Sequence, residues 1–242
     1  MVDKSVFDFQ ILDWDTEFFG VSVAKLTLVD TLTLDHWNRV RERFGAYELI
    51  VIENQNSDPK NAQFIGRETS AFLADINIRF HKNLDCCSVL PESIKVLSAM
   101  QRCDCVLELA KFKFSRFVED PFLRERGGDR IYRQWILGSF EREDKFFAVA
   151  EGPKGHYEGF LLFSYKNGIC IVELIAVAEG QERSGVGTRL FNAVEWHAHK
   201  QGIADIEVGT QIRNTNAINF YHKVGCKQIG NHQIYHLWNV HD

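Results

Sequence analysis

Gly180, Gly185 and Gly187 crowd the stretch EGQERSGVG, with Ser184 among them and Thr188 directly after. An apolar run, ICIVELIAVA, precedes the stretch, and the helix-like VGTRLFNAVEWHAHKQG grows out of it. A strand end, a turn and a helix N-terminus then place several unpaired backbone N–H groups around one point, where the helix dipole adds positive potential. Such a point holds an anion. Without a Cβ, Gly185 and Gly187 let a phosphate approach the backbone, and Thr188 adds a hydroxyl donor, so a diphosphate is the natural guest. The loop is neither of the common nucleotide patterns: no G-x-G-x-x-G follows a first strand, and no Lys-Ser or Lys-Thr pair follows the last glycine. For a lone G-x-G, a tight turn holding nothing would be the better reading.

The surrounding elements make the loop more than a turn. Three extended runs, KFFAVAE, YEGFLLFSYK and ICIVELIAVA, lead up to it, and Asn167-Gly168 between the last two is a strong hairpin signal because both residues tolerate positive φ. After the helix closed by Gly202 come a strand, ADIEVGT, a helix, NTNAINFYHKVG, and a final pair of extended runs. Upstream, IKVLSA reads as a strand, DCVLELAKFKF as a helix, and DRIYRQWILGSF as a second helix with Ile131, Trp135, Ile136 and Phe140 on one side. The first ninety residues alternate apolar runs (VAKLTL, ELIVIE, FLADINIRF) with the helical LDHWNRVRERFGA. They read as a smaller α/β unit, residues 1–90, followed at a seam near Pro91 by a second unit, 91–242.

Bulk properties narrow the partners. A formal charge of -5 and the absence of a basic patch argue against nucleic acid. No window approaches a membrane span and MVDKSVFDFQ is not a signal peptide, so the expectation is a cytoplasmic protein. The six cysteines (Cys86, Cys87, Cys103, Cys105, Cys170, Cys226) form no C-x-x-C pair and read as reduced structural thiols. His197, His199 and His222 read as exposed helix residues, and His232, His236 and His241 lack metal-ligand spacing, so no metal is expected.

IAVAEGQERSGVGTRL resembles the acyl-CoA pyrophosphate loop of the GNAT N-acetyltransferases. NTNAINFYHKVGC, from Asn214, resembles that family's later Asn-x-x-Ala-x-x-Phe-Tyr-x-x-x-Gly segment, at the usual distance and on the matching helix. WDTEFFG, FSRF at 114–117, YRQW at 132–135 and VGTQIRNTNA at 208–217 further resemble one branch, the acetyltransferases of dTDP-linked amino sugars such as dTDP-4-amino-4,6-dideoxygalactose. The resemblance implies an α/β GNAT fold: a mixed, mostly antiparallel sheet flanked by helices, preceded by the smaller N-terminal unit. It implies acetyl-CoA or another short-chain acyl-CoA as co-substrate, held by Arg183, Ser184, Gly185, Val186, Gly187, Thr188 and Asn214, with backbone groups of Ile175 and Val177 along the pantetheine arm. Glu182 departs from the family, which usually carries Arg or Gln there, and a carboxylate beside a diphosphate is electrostatically unhelpful.

Acyl transfer needs a neutral amine, a stabilised oxyanion and a proton for the departing thiolate. Tyr221 is the candidate general acid, with a core tyrosine as the plain alternative; Asn214 has helix capping as its alternative. Asp75 and Glu173, each interrupting an apolar strand, are both candidate bases. For the acceptor, Phe19, Arg116 and Trp135 supply aromatic faces and a guanidinium, with core packing the equal reading of the two aromatics. The expected activity is acyl transfer from CoA to the 3- or 4-amine of a dTDP-linked dideoxy sugar. The alternatives are another amine (a protein N-terminus, a polyamine, an antibiotic) or a non-catalytic acyl-CoA-binding module. Edge pairing between C-terminal strands would make a homodimer unsurprising.

Overall fold

A computed structural model of the chain describes residues 6–84, 89–152 and 155–239. Cys86, Cys87 and His241 lie outside the described residues.

The chain opens with β1 (Phe7–Ile11), α1 (Asp13–Phe19) and β2 (Val23–Leu28). Thr33 then caps α2 (Leu34–Arg41) by accepting from His36 N–H at 3.2 Å, and β3 (Leu49–Gln55) follows. Asp58 accepts from Asn61 N–H to start α3 (Pro59–Glu68), whose leading proline sits where no amide donor is needed. Next come β4 (Phe72–Asn83), β5 (Ile94–Ser98), α4 (Asp104–Leu109), α5 (Arg116–Glu119), α6 (Pro121–Glu125) and α7 (Ile131–Leu137). The helix expected over DCVLELAKFKF stops at Leu109, and beyond it Phe112 is drawn into a ring contact with Tyr132 at 4.6 Å.

From β6 (Lys145–Glu151) onward the local signals are followed closely. β7 (Tyr157–Lys166) turns into β8 (Ile169–Val177) through Asn167 and Gly168, at φ 53° and 77°, the two positive values such a turn requires. α8 (Val186–Lys200), β9 (Asp205–Gln211) and α9 (Thr215–Lys223) follow. The final pair of expected runs is one strand, β10 (Lys227–Trp238), irregular at Gln228/Gly230 and Ile234/Tyr235 but hydrogen-bonded along both edges.

All ten strands form one sheet in the order β1-β2-β3-β10-β4-β9-β8-β7-β6-β5. Among the described residues only β2–β3 and β8–β9 pair in parallel. β4 lies between β10 and β9, so the sheet continues across the sequence boundary near Pro91. C-terminal edge pairing is corrected by the same order: β10 is interior, and the open edges belong to β1 and β5.

β7 shows how the sheet buries both faces. Leu161 and Phe163 pack under α8 with Leu190, Phe191 and Val194, whereas the alternate residues Phe160 and Leu162 meet Val106, Ile136 and Phe140 on the other face. Ile131 and Ile136 are buried as the pattern on α7 predicts, but Trp135 is 39% exposed; a seven-residue helix has too narrow a buried face to include it. His197, expected on a solvent face, is half-buried and bonded to the Tyr165 hydroxyl at 2.7 Å. Burial pushes the Cys226 thiol up to about 11 and Cys170 to about 12, and both are free. Among the described residues no helix is long and apolar enough to cross a membrane.

Candidate active site

The parallel ladder between β8 and β9 ends at Val172 and Val208. Past that point β8 stays bonded to β7, Leu161 opposite Ile175 and Gly159 opposite Val177, but its other edge is free. A cleft of about 530 Å³ opens there, lined by Ile175 and Val177 on one side and by the glycine loop and α9 on the others.

The loop is built from left-handed residues: Gly180, Arg183 and Gly185 sit at φ 84°, 65° and 88°. Gly185 precedes α8, whose first turn has no side-chain cap, so its leading N–H groups are left for a guest. Gly187 answers a different need, since a Cβ there would lie 3.2 Å from the Phe220 ring that forms the facing wall. Gly159, which no local signal marks, matters as much: its Cβ would stand 2.9 Å from the Ala176 carbonyl and 3.0 Å from Val186. Its bareness lets α8 start hard against β7.

Arg183, Gly185, Gly187 and Thr188 line the cleft. Ser184 and Val186 do not join them: the Ser184 hydroxyl donates to Gln181 O at 2.6 Å, and Val186 is buried beneath the loop. Asn214 caps α9 by accepting from Ala217 N–H at 3.2 Å, its capping reading. The α9 residues that do line the cleft are Asn216, Ala217, Asn219, Phe220 and Lys223, and apart from Ala217 they stand at the i, i+3, i+4, i+7 spacing of one helix face. That spacing was the available signal for them. The donor set fits an anionic, extended guest, with Lys223 and Arg183 as cations; Glu182 opposes them, its carboxylate accepting from Gly180 N–H at 2.8 Å.

Tyr221 points from the same helix into the core, 3% exposed, with the Phe80 and Phe220 rings at 5.4 and 5.3 Å. Burial pushes its phenol well above the ordinary tyrosine range, so the proton stays on at neutral pH.

A second cavity, of about 230 Å³, lies on the β9 and β4 side of the parting strands. Asp75, Arg116 and Arg213 line it. Burial raises the Asp75 carboxyl, and the Arg116 guanidinium pulls part of the way back. Arg116 lies over the Phe117 ring at 4.4 Å, and its Nε is buried without a hydrogen-bond partner. Arg213 is occupied by Glu119 at 2.7 Å. β8 and β9 run parallel and β4 runs against β9, so the C-terminal ends of β8 and β9 and the start of β4 share one end of the sheet. Both cavities open at that end.

Three expected residues stand elsewhere. Phe19 is 5% exposed and stacks on Phe117 at 6.2 Å, supporting the ring beneath Arg116. Glu173 is the extra residue where the β7–β8 register shifts, and its carboxylate takes Lys145 at 2.5 Å, the Ser164 hydroxyl at 2.5 Å and the Trp135 indole N–H at 3.1 Å. With its lone pairs so engaged it lines neither cavity, and Trp135 serves Glu173. Beside the second cavity, fully buried His236 and Asp120 meet at 2.6 Å, with the Trp238 N–H also on Asp120 at 3.0 Å. The sequence spacing of the histidines gave no hint of that pair.

Residues 106–226, half of the chain, match the sequence model of the Acetyltransferase (GNAT) family. A curated relative, the spore coat polysaccharide biosynthesis protein SpsD of Bacillus subtilis, is 26% identical over 137 residues, 56% of this chain and 47% of that protein. The match therefore spans about half the length of that relative. Among solved structures, a GCN5-related N-acetyltransferase from Sphaerobacter thermophilus superposes with a TM-score of 0.62 at 12% identity, covering 96% of this chain and 76% of that one. A functionally unknown conserved protein from Staphylococcus epidermidis gives 0.63 at 13% identity, over 90% and 85%. At such identities these two speak for the fold alone.

Proposed function

The chain belongs to the acetyltransferase (GNAT) family, and from that premise we propose that it is an acyl-CoA-dependent N-acyltransferase. Its acceptor in this reading is the amine of a dTDP-linked 3- or 4-amino dideoxy sugar, its donor acetyl-CoA or a short hydroxyacyl-CoA, and its setting surface polysaccharide synthesis. The observation that carries the reading is the placement of two different cavities at one sheet end. One is lined by strand backbone and a capless helix N-terminus, suited to a thioester arm and its diphosphate; the other holds a carboxylate raised by burial, suited to an amine. That the Bacillus relative is a spore coat polysaccharide biosynthesis protein favours a sugar as the carrier of that amine.

The free edge of β8 at Ile175 and Val177 offers backbone groups to the arm and to the thioester carbonyl, where charge develops. Asp75, ionised, accepts a proton from the ammonium form of the acceptor, and the neutral amine attacks the carbonyl carbon. A C–N bond forms and the C–S bond breaks, with the electron pair leaving on sulfur, and the nitrogen sheds its second proton to water, from which Tyr221 is reprotonated. Tyr221 is assigned the proton for the thiolate on the family resemblance of its segment; its phenol lies in the core behind the cleft-lining Phe220 and lines neither cavity. Of the two candidate bases we take Asp75, since Glu173 is already fully bonded.

The test is to mix the purified protein with acetyl-CoA and a panel of dTDP-linked 3-amino and 4-amino dideoxy sugars, following thiol release and product mass. Release matched by an acylated sugar supports the reading. Turnover of polyamines or peptides with every sugar untouched overturns the acceptor.

A further inference from the structure

α1 and α7 enclose a third cavity, of about 480 Å³, with Trp14, Glu17 and Phe18 from one helix and Arg130, Arg133 and Gln134 from the other side. Trp14 is 46% exposed, and its indole lies parallel to the Phe18 ring at 5.3 Å and 9°, leaving a flat, rigid aromatic platform at the surface. Arg130 and Arg133, three residues apart, stand on one face, and among the described residues neither guanidinium meets a carboxylate within ion-pair distance. The backbone makes room for one of them: Gly127 sits at φ 91°, and a Cβ there would come within 2.4 Å of Arg130 Nη2.

A stacking platform beside two unpaired guanidiniums is the donor set for a heterocyclic base joined to adjacent phosphates. Glu17 and Gln134 at the rim can meet the polar edge of that base. Resting on the acceptor reading above, we infer that this cleft holds the nucleoside diphosphate portion of the acceptor. The two helices connect it with the Asp75 cavity: Phe19 of α1 and Tyr132 of α7 both pack on the Phe117 ring, at 6.2 and 6.1 Å, and over that ring lies Arg116, which lines the Asp75 cavity. A helix is roughly 10 Å across, a width that a diphosphate and its attached sugar can span. The amine would then reach Asp75 while the base stays on Trp14.

The inference is tested with dTDP alone, titrated by calorimetry and by tryptophan fluorescence against the wild type, Trp14→Ala and the Arg130→Gln/Arg133→Gln double variant, with acetyl-CoA binding as the control for an intact fold. Wild-type binding that weakens about tenfold or more in each variant, with acetyl-CoA affinity unchanged, is the expected result. No binding of dTDP to the wild type, or equal binding by the variants, overturns it. The two readings fail separately. If a dTDP-amino sugar is acylated and the variants leave its KM unchanged, the cleft assignment falls and the acceptor stands. If dTDP needs Trp14 and the arginines but no dTDP-amino sugar is acylated, the cleft stands and the acceptor falls.

Discussion

The Glu182 carboxylate accepts a hydrogen bond from the Gly180 N–H at 2.8 Å, inside the loop whose backbone donors the coenzyme diphosphate would use. The side chain thus removes one donor and places a negative charge where another anion is to sit. Replacing it by Gln keeps the size and deletes the charge. Glu182→Gln should bind acetyl-CoA roughly two- to fivefold more tightly, the scale of an exposed charge interaction. Calorimetric affinity that stays the same or drops would show that the carboxylate does not oppose the guest.

Asp75→Asn keeps the shape of the second cavity and removes its base. The rate kcat/KM should fall by about 10²–10⁴-fold, with acetyl-CoA affinity intact. An activity within a few-fold of wild type would hand the proton to water.

The pH dependence follows from the forces on the same carboxyl. Burial raises it and Arg116 is the largest of the influences that lower it, so Arg116→Gln lets burial push the carboxyl further up. The base must be ionised, so activity rises with pH through its titration, and in the variant that rise should move to higher pH. A limb that stays put or moves down would detach Asp75 from the profile.

Tyr221→Phe separates the general acid from the core tyrosine. The ring keeps its contacts with Phe80 and Phe220, so thermal stability should hold. As the proton donor, its loss should lower kcat by about 10²-fold with little change in KM for acetyl-CoA. Full activity would leave Tyr221 as packing.

The His236–Asp120 pair predicts how stability depends on pH. Burial holds His236 below its ordinary value against the pull of Asp120. For Asp120 burial pushes up, but the bonds from His236 and Trp238 outweigh it and hold the carboxyl low. Both groups bind protons less readily folded than unfolded, so stability is lost as pH falls: first through the imidazole range near 6.5, then through the carboxylate range. Urea midpoints should decline between about pH 7 and pH 5, and His236→Gln should flatten that decline. An equal slope in the variant would place its origin elsewhere.

Much of the site was legible because its signals are local. Asn167-Gly168 fixes a hairpin by its own φ values, and the glycines around Arg183 give a left-handed loop that no neighbour needs to enforce. The spacing of Asn216, Asn219, Phe220 and Lys223 follows from helix geometry alone. Asn214 was ambiguous between capping and binding because one residue type serves both, and only the 3.2 Å bond to Ala217 N–H distinguishes them.

By itself, then, the sequence determined the order of elements from β6 to α9, the diphosphate-type loop and the family, since turn chemistry, periodicity and glycine placement act within a few residues. Tertiary structure alone decided that β4 slots between β10 and β9, that Glu173 is consumed by Lys145, Ser164 and Trp135, and that Asp75 shares a cavity with Arg116. Those facts rest on strand pairing and burial between residues tens to hundreds of positions apart, and no local window of sequence carries the energies that select them.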